Sequence, residues 1–424
     1  MTPIYLDYNA TAPLRPQVIV RMQELLGGPF NPSSAHRFGR EAKKQLEQAR
    51  KTIADAVAAW PGEITFTASG TEANATALRG IAGRRVLVSA VEHSSVLSSP
   101  SPPAGEGRGG GALTMNSGLS QLSAPPHPNP PPQGGREYIP VTPSGIINLT
   151  ALDALLAASP PALVSVMLAN NETGVIQPVA EVAALCKKHG ALLHCDAVQG
   201  LGKIAVDFGL LGADMMSISA HKCGGPLGAA ALVVRRDLAF TPLLAGGGQE
   251  LGRRAGTENV AAIAGFAAAV ELVDLEQMRM LRGWLDAMES ALLPSPLGRG
   301  KGEGPSTSES LLNGPHPGPL PGGEGAVIFG ACAPRLPNTS CIAMPGVSNE
   351  VQLMDFDLKG FAVSAGSACS SGRIEGSHVL AAMGVEKTLA ASAIRISGGW
   401  QTSKEEIILF TEAWKQTCKR LKKP

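Results

Sequence analysis

The 424-residue chain reads as an α/β protein, with a large domain on a mostly parallel sheet followed by a smaller α+β region. Three observations predict this. Short apolar runs alternate with segments of helical periodicity through the first 235 residues. That alternation gives way to a long helical stretch beginning near residue 260. Weaker strand signals and a polar C-terminal helix follow it.

In chain order, the runs at 63–68, 86–89, 163–168, 191–195, 215–219 and 230–234 are short and apolar, as buried strands are. Between them, 42–59, 71–81, 149–158 and 179–189 carry apolar residues at helical spacing. Strand–helix–strand alternation at this pitch favours a parallel sheet. One helix is expected over about 260–293, and strands at 327–329 and 341–344.

Lys plus Arg number 36 against 35 Asp plus Glu, a formal charge of +1, which gives no electrostatic case for nucleic acid or an anionic membrane as the main partner. Seven cysteines, with no Cys-x-x-Cys pair, argue against a disulfide scaffold or a zinc module and for a reducing cytoplasm. No apolar run reaches the roughly 18 residues of a membrane span, and the opening residues lack the pattern of a secretory signal.

Two segments differ from the rest. Residues 98–136 hold nine Pro and eight Gly, and 294–325 hold seven Pro and nine Gly, so both are expected to be exposed loops unable to bury much apolar surface. They also resemble each other: Pro100-Ser-Pro102 and Pro294-Ser-Pro296 each lead to Gly-Arg-Gly, and Pro126-His-Pro128 matches Pro315-His-Pro317. Proline codons read on the opposite strand specify glycine, so the pattern implies an inverted repeat inserted twice in frame. A proline-rich ligand for a partner domain is the alternative.

In such sheets functional groups gather where strands end and helices begin. Four strand ends carry unusual residues. Ser69-Gly-Thr-Glu72 fits a capping box at a helix start whose free N–H groups suit a phosphate, although an ordinary N-cap has the same signature. Asp196 follows an apolar strand, where an acid can cap a turn or face a ring nitrogen. Lys222 ends another, where it can snorkel to solvent or, desolvated, supply the neutral amine of a Schiff base. His93 lies just beyond a third, a place where a histidine is commonly structural. Together these are the parts needed to hold pyridoxal phosphate.

The sequence resembles the class V, fold type I pyridoxal-phosphate enzymes, and within them the NifS/IscS-like cysteine desulfurases. The resemblance rests on ten segments in the family's order. They are Tyr5-Leu-Asp-Tyr-Asn-Ala-Thr-Ala-Pro13, Asn31-Pro-Ser-Ser-Ala-His36, Ser69-Gly-Thr-Glu-Ala-Asn74, Val91-Glu-His93, Asn170-Asn-Glu-Thr-Gly174, Asp196-Ala-Val-Gln199, Ser219-Ala-His-Lys222, Arg254-Ala-Gly-Thr-Glu-Asn259, Ser364-Ala-Gly-Ser-Ala-Cys369 and Ile394-Arg-Ile-Ser397. The division expected is a large cofactor-binding domain over 15–262 and a small domain from 1–14 with 263–424.

The resemblance implies that Lys222 bonds covalently to the cofactor, Asp196 pairs with the pyridine nitrogen and Gln199 with the phenolic oxygen, and His93 stacks on the ring and can move protons. It assigns Gly70, Thr71, Ser219 and His221 to the phosphate, with Thr257 reaching in from the other subunit of a homodimer. Asn171 and Arg395 fall at the substrate end, where a guanidinium matches a carboxylate bidentately. Cys369 lies among Gly, Ala and Ser residues, as a thiol on a movable loop would, whereas Cys195 and Cys341 sit in apolar runs as structural cysteines do. The reaction implied converts L-cysteine to L-alanine, leaves a persulfide on Cys369 and passes the sulfur to an acceptor such as an iron–sulfur scaffold protein. A selenocysteine lyase, an aminotransferase of the same class, or a disabled relative acting as an interaction protein are the alternatives. The first insertion begins just after His93 and is expected to replace the helix that follows it.

Overall fold

The apolar runs become strands because both of their faces are covered. All six residues of Ala162–Met167 are buried, as are all five of Met215–Ser219 and Ala230–Val234. The computed structural model describes residues 3–81, 84–99, 136–159, 162–293, 325–366 and 376–421. Its strands are β1 (Ile4–Tyr5), β2 (Ile64–Thr67), β3 (Arg85–Ser89), β4 (Arg136–Ile139), β5 (Ala162–Met167), β6 (Leu192–Asp196), β7 (Met215–Ser219), β8 (Ala230–Val234), β9 (Val327–Ile328), β10 (Thr339–Ala343), β11 (Phe361–Ala362) and β12 (Ala393–Ser397).

Seven of them form the central sheet in the order β2-β8-β7-β6-β5-β3-β4, with β8 antiparallel to both neighbours and the other pairings parallel. The parallel strands therefore deliver the segments after β2, β3, β5, β6 and β7 to one edge of the sheet. A core of Ile53, Ile64, Val164, Val166, Leu193, Val233 and Phe266 fills the space between this sheet and its helices. Each such side chain contributes about 1.5–3 kcal/mol by leaving water. A second core, with Leu281, Leu285, Ile342, Phe356, Ile394 and Phe410, lies around the sheet β12-β10-β9. Leu6 belongs to it, because β1 pairs in parallel with β11 and so carries the start of the chain to the far end.

Two expectations are corrected. The single helix over 260–293 is two helices, Val260–Glu271 and Leu275–Leu292. Asp274 ends the run by accepting from the backbone N–H groups of Glu276 and Gln277 at 2.9 and 3.1 Å, opening a new helix. The break also separates environments: ten of twelve residues of the first helix are buried against the central core, whereas Met278, Leu281 and Leu285 of the second pack into the other core.

The second correction concerns the margins of the first Pro/Gly-rich segment. Most of 98–136 and 294–325 lies outside the described residues, but Ser99 and Arg136 are buried, and Arg136 begins β4, an edge strand paired with β3. The helix after His93 is cut to Ser94–Leu97. Arg136 Nη1 donates to the carbonyls of Val96 at 2.6 Å and Leu97 at 2.7 Å, joining the Ser99 N–H at the first and supplying the second with a donor that a further turn would have given. Arg136→Met removes these charged donors and is expected to cost about 2–3 kcal/mol in urea denaturation, with Arg136→Lys recovering part of it. An unchanged midpoint for the Met variant would refute the capping role.

Candidate active site

Asp196 ends β6, 6% exposed, with its carboxylate turned inward. Oδ2 accepts from Asn74 Nδ2 at 2.7 Å and Oδ1 from the Val198 N–H at 3.0 Å. Glu92 lies fully buried nearby. Burial first, then the charge of Asp196, push its carboxyl well above the ordinary value of 4.5, which favours its neutral form, and it accepts from the Met167 N–H at 2.6 Å. His194, two residues upstream, is bracketed by the hydroxyls of Ser165 and Ser217 at 2.9 and 3.0 Å, and burial lowers it to about 4, leaving it uncharged.

His93 caps the short helix Ser94–Leu97. Its Nδ1 lies 3.1 Å from the Ser95 N–H and 2.8 Å from Ser95 Oγ. Ser95 Oγ in turn receives Asn74 Nδ2 at 2.9 Å, so His93 and Asp196 are joined through Asn74 and Ser95.

Lys222 follows β7 in the 3₁₀ turn Ala220–Lys222. Its Nζ donates to the carbonyls of Asn9 and Ala10 at 2.6 and 2.7 Å. Gln199 Nε2 donates to the same Asn9 carbonyl at 3.0 Å, while Gln199 Oε1 accepts from Lys203 Nζ. Lys203 is itself buried and bonds Asn9 Oδ1 at 2.7 Å, and burial, then the charge of Lys222, drive its amine well below the usual range. Asn9 Nδ2 reaches the Asn171 carbonyl at 3.0 Å, which also accepts from Arg395 Nη1 at 3.2 Å. Arg395, 2% exposed, pairs through Nη2 with Asp7 at 2.5 Å. Asp7 holds Ser364 Oγ at 2.6 Å, and Ser364 bridges Arg395 through the backbone. Ser364, five residues before Cys369, is thus fastened to the arginine, while Cys369 itself lies outside the described residues.

At the other end, Gly70 opens the helix Gly70–Gly80 after Ser69, whose hydroxyl caps the Glu72 N–H at 3.1 Å. Gly70 and Thr71 therefore carry first-turn N–H groups that have no intrahelical acceptor. A Cβ on Gly70 would stand 2.9 Å from Val198 and 3.7 Å from Ser219, so glycine keeps this corner open. His221, lowered to about 4 by burial and then by Lys222 and Lys203, is neutral and touches Thr11 Oγ1 at 3.3 Å. Thr257 is not drawn in: it is exposed, on a loop held to the helix start by the Arg254–Glu72 pair at 2.8 Å.

The structure therefore brings Gly70, Ser219, Asp196, His93, Lys222, Gln199, Asn171 and Arg395 to one edge of the sheet. Sequence reasoning did not single out Asn9, Asp7, Lys203, Asn74 or Ser95. Lys203, four residues after Gln199, had a signal in its spacing on one turn; the others had none outside the quoted motifs. Among the described cysteines, burial pushes Cys223 up to about 12 and Cys195 and Cys341 also upward, which makes them unreactive, while Cys332 is exposed.

A doubly wound sheet with a lysine, a buried acid and a glycine-opened helix at one edge defines a pyridoxal-phosphate type of site. The chain belongs to the aminotransferase class-V family, whose model matches residues 4–100 and 136–293, passing over 101–135. It is 36% identical to the cysteine desulfurase IscS of Dictyoglomus turgidum over 99% of this chain and 95% of that protein. It is 34% identical to the IscS-like cysteine desulfurase of Mycobacterium tuberculosis over 93% and 91%. Among solved structures, a NifS-like protein from Rickettsia africae superposes with a TM-score of 0.76 at 32% identity, over 98% of this chain and 99% of that one. The residues present fit pyridoxal 5'-phosphate: Gly70 leaves room beside free N–H donors, and the charge of Asp196 is buried at the end of β6.

Glu92 gives a pH test. An acid whose folded value is raised binds its proton more tightly folded than unfolded, so its contribution is full below about 4.5 and declines as pH climbs toward the raised value. Glu92→Gln removes that decline. Denaturant midpoints at acidic, neutral and alkaline pH are expected to shift progressively in favour of the variant, and parallel profiles would show that Glu92 is not held neutral.

Proposed function

We propose that the protein is a pyridoxal-phosphate-dependent cysteine desulfurase that converts L-cysteine to L-alanine and hands the sulfur onward from Cys369. The observation that carries this reading is the set Lys222, Gln199 and Arg395 linked through Asn9 and Asn171, with Asp196 at the same sheet edge, in a chain whose full-length relatives are cysteine desulfurases. When bound, the cofactor supplies an electron sink for the negative charge left when the α-proton departs.

The chain's own groups do the rest. Gly70 and Thr71, through first-turn N–H groups, and Ser219 and His221 hold the phosphate. Asp196 holds the proton on the ring nitrogen and Gln199 Nε2 donates to the phenolic oxygen. Lys222 would hold the cofactor covalently, and its amine, once released, would take the α-proton. Arg395, with Asn171 beside it, receives the substrate carboxylate. The Cys369 thiolate attacks the substrate sulfur: a sulfur–sulfur bond forms, the carbon–sulfur bond breaks toward carbon, and a proton completes the methyl group of alanine.

Exposed Thr257 suits a homodimer in which it reaches the partner's phosphate, and an iron–sulfur scaffold is the proposed acceptor. The large cofactor domain at 15–262 and the small domain from 1–14 with 263–424 complete this reading. Among the described residues no helix is long and apolar enough to cross a membrane.

The test is to supply the purified protein with pyridoxal phosphate and L-cysteine and quantify alanine and persulfide together. Both are expected in step. Cys369→Ala is expected to keep its cofactor and form no persulfide, while Cys332→Ala stays near wild type; wild-type sulfur transfer by Cys369→Ala would sink the assignment. Lys222→Ala is expected to abolish the borohydride-reducible link to the cofactor.

A further inference from the structure

We propose that Ser95, oriented by Asn74, is a positioning residue that fixes His93 in the tautomer protonated on Nε2. Asp196 offers only acceptors when ionised. Its Oδ2 lies 2.7 Å from the Asn74 amide, so that amide must turn its nitrogen, not its oxygen, to the carboxylate. The second hydrogen of the same nitrogen reaches Ser95 Oγ at 2.9 Å. Ser95 Oγ thus accepts from Asn74 through one lone pair, which leaves its single hydrogen to be turned toward His93 Nδ1, 2.8 Å away. The Ser95 backbone N–H points at the same ring nitrogen from 3.1 Å, and a backbone N–H can only donate.

Two donors converge on Nδ1, so it carries a lone pair, and neutral His93 bears its proton on Nε2. Moving the proton to Nδ1 would set it against the Ser95 backbone N–H and oblige the Ser95 hydroxyl to turn its hydrogen away. The chain of consequence starts at a charge, 1% exposed Asn74 transmits it, and half-buried Ser95 delivers it to the ring. The chemical result is directional. His93 Nε2 donates a hydrogen and has no lone pair with which to accept one, so His93 serves the proposed reaction as a donor and the α-proton falls to Lys222. This last consequence rests on the desulfurase reading; the tautomer does not.

Long-range proton–nitrogen NMR of the intact chain with labelled histidines, with and without pyridoxal phosphate, reads the tautomer directly, the His93 signals being assigned by their loss in His93→Gln. Wild type is expected to show an unprotonated Nδ1 and a protonated Nε2. Ser95→Ala is expected to move both His93 nitrogens toward the averaged values of a mixed tautomer, and Ser95→Thr, which keeps the hydroxyl, to restore them. In turnover, Ser95→Ala is expected to lose about tenfold in kcat, with KM within about twofold. A wild-type His93 protonated on Nδ1, or a Ser95→Ala spectrum identical to wild type, overturns the proposal even if desulfuration is intact. Absence of desulfuration with the expected spectra overturns the functional reading alone.

Discussion

The buried carboxylate of Asp196 is the constraint to which the site is fitted. A charge at 6% exposure is costly unless donors surround it, and here the donors are the Asn74 amide and the Val198 N–H. The same charge helps keep Glu92 neutral and turns Asn74 so that Ser95 must accept from it. His194, one pleat deeper on the same strand, is left uncharged between two hydroxyls, so it brings no positive charge to Asp196.

A second hub, Asn9, ties the two cores together. Its carbonyl receives Lys222 and Gln199, its side-chain oxygen receives Lys203 and Asn338, and its amide reaches Asn171 and Thr339. A residue near the start of the chain thus holds groups from the strand ends of the central sheet against the strand that precedes Arg395 in the smaller one. Lys203 has a particular part in this. By taking Gln199 Oε1 it leaves the Gln199 nitrogen as the donor, the orientation a phenolic oxygen requires. A buried amine weakened as a base by desolvation suits that duty better than it would suit a surface ion pair.

What was legible in the sequence follows from locality. Asp196, Lys222, Ser69 and His93 each stand directly after an apolar run, so strand period and position announce them without knowledge of neighbours. The sheet strands were legible for the same reason: β5 to β8 are buried on both faces and read as continuous apolar segments. Asn9, Lys203 and Ser95 were not, because their meaning lies in partners; Asn9 meets Lys203 across 194 positions. The break at Asp274 was hidden by an apolar periodicity that runs on through it, and β4 by its place at the margin of a Pro/Gly-rich stretch.

That margin shows how the fold accommodates the inserted segment. Loop-closure entropy grows only with the logarithm of length, so lengthening a connection by some 36 residues costs on the order of 1–2 kcal/mol. The larger danger is local, since the helix capped by His93 stops after Leu97, with backbone N–H groups left for the carbonyls of Ser94 and Val96 but none for that of Leu97 among the described residues. Arg136 answers that loss at the point where the chain returns. Its pairing with Val86 at the sheet edge sets the backbone, and its side chain, 2% exposed, covers Val96 and Leu97. The family match resumes at this same residue. The segment after His93 is therefore closed, among the described residues, by a strand residue that reaches back to Val96 and Leu97.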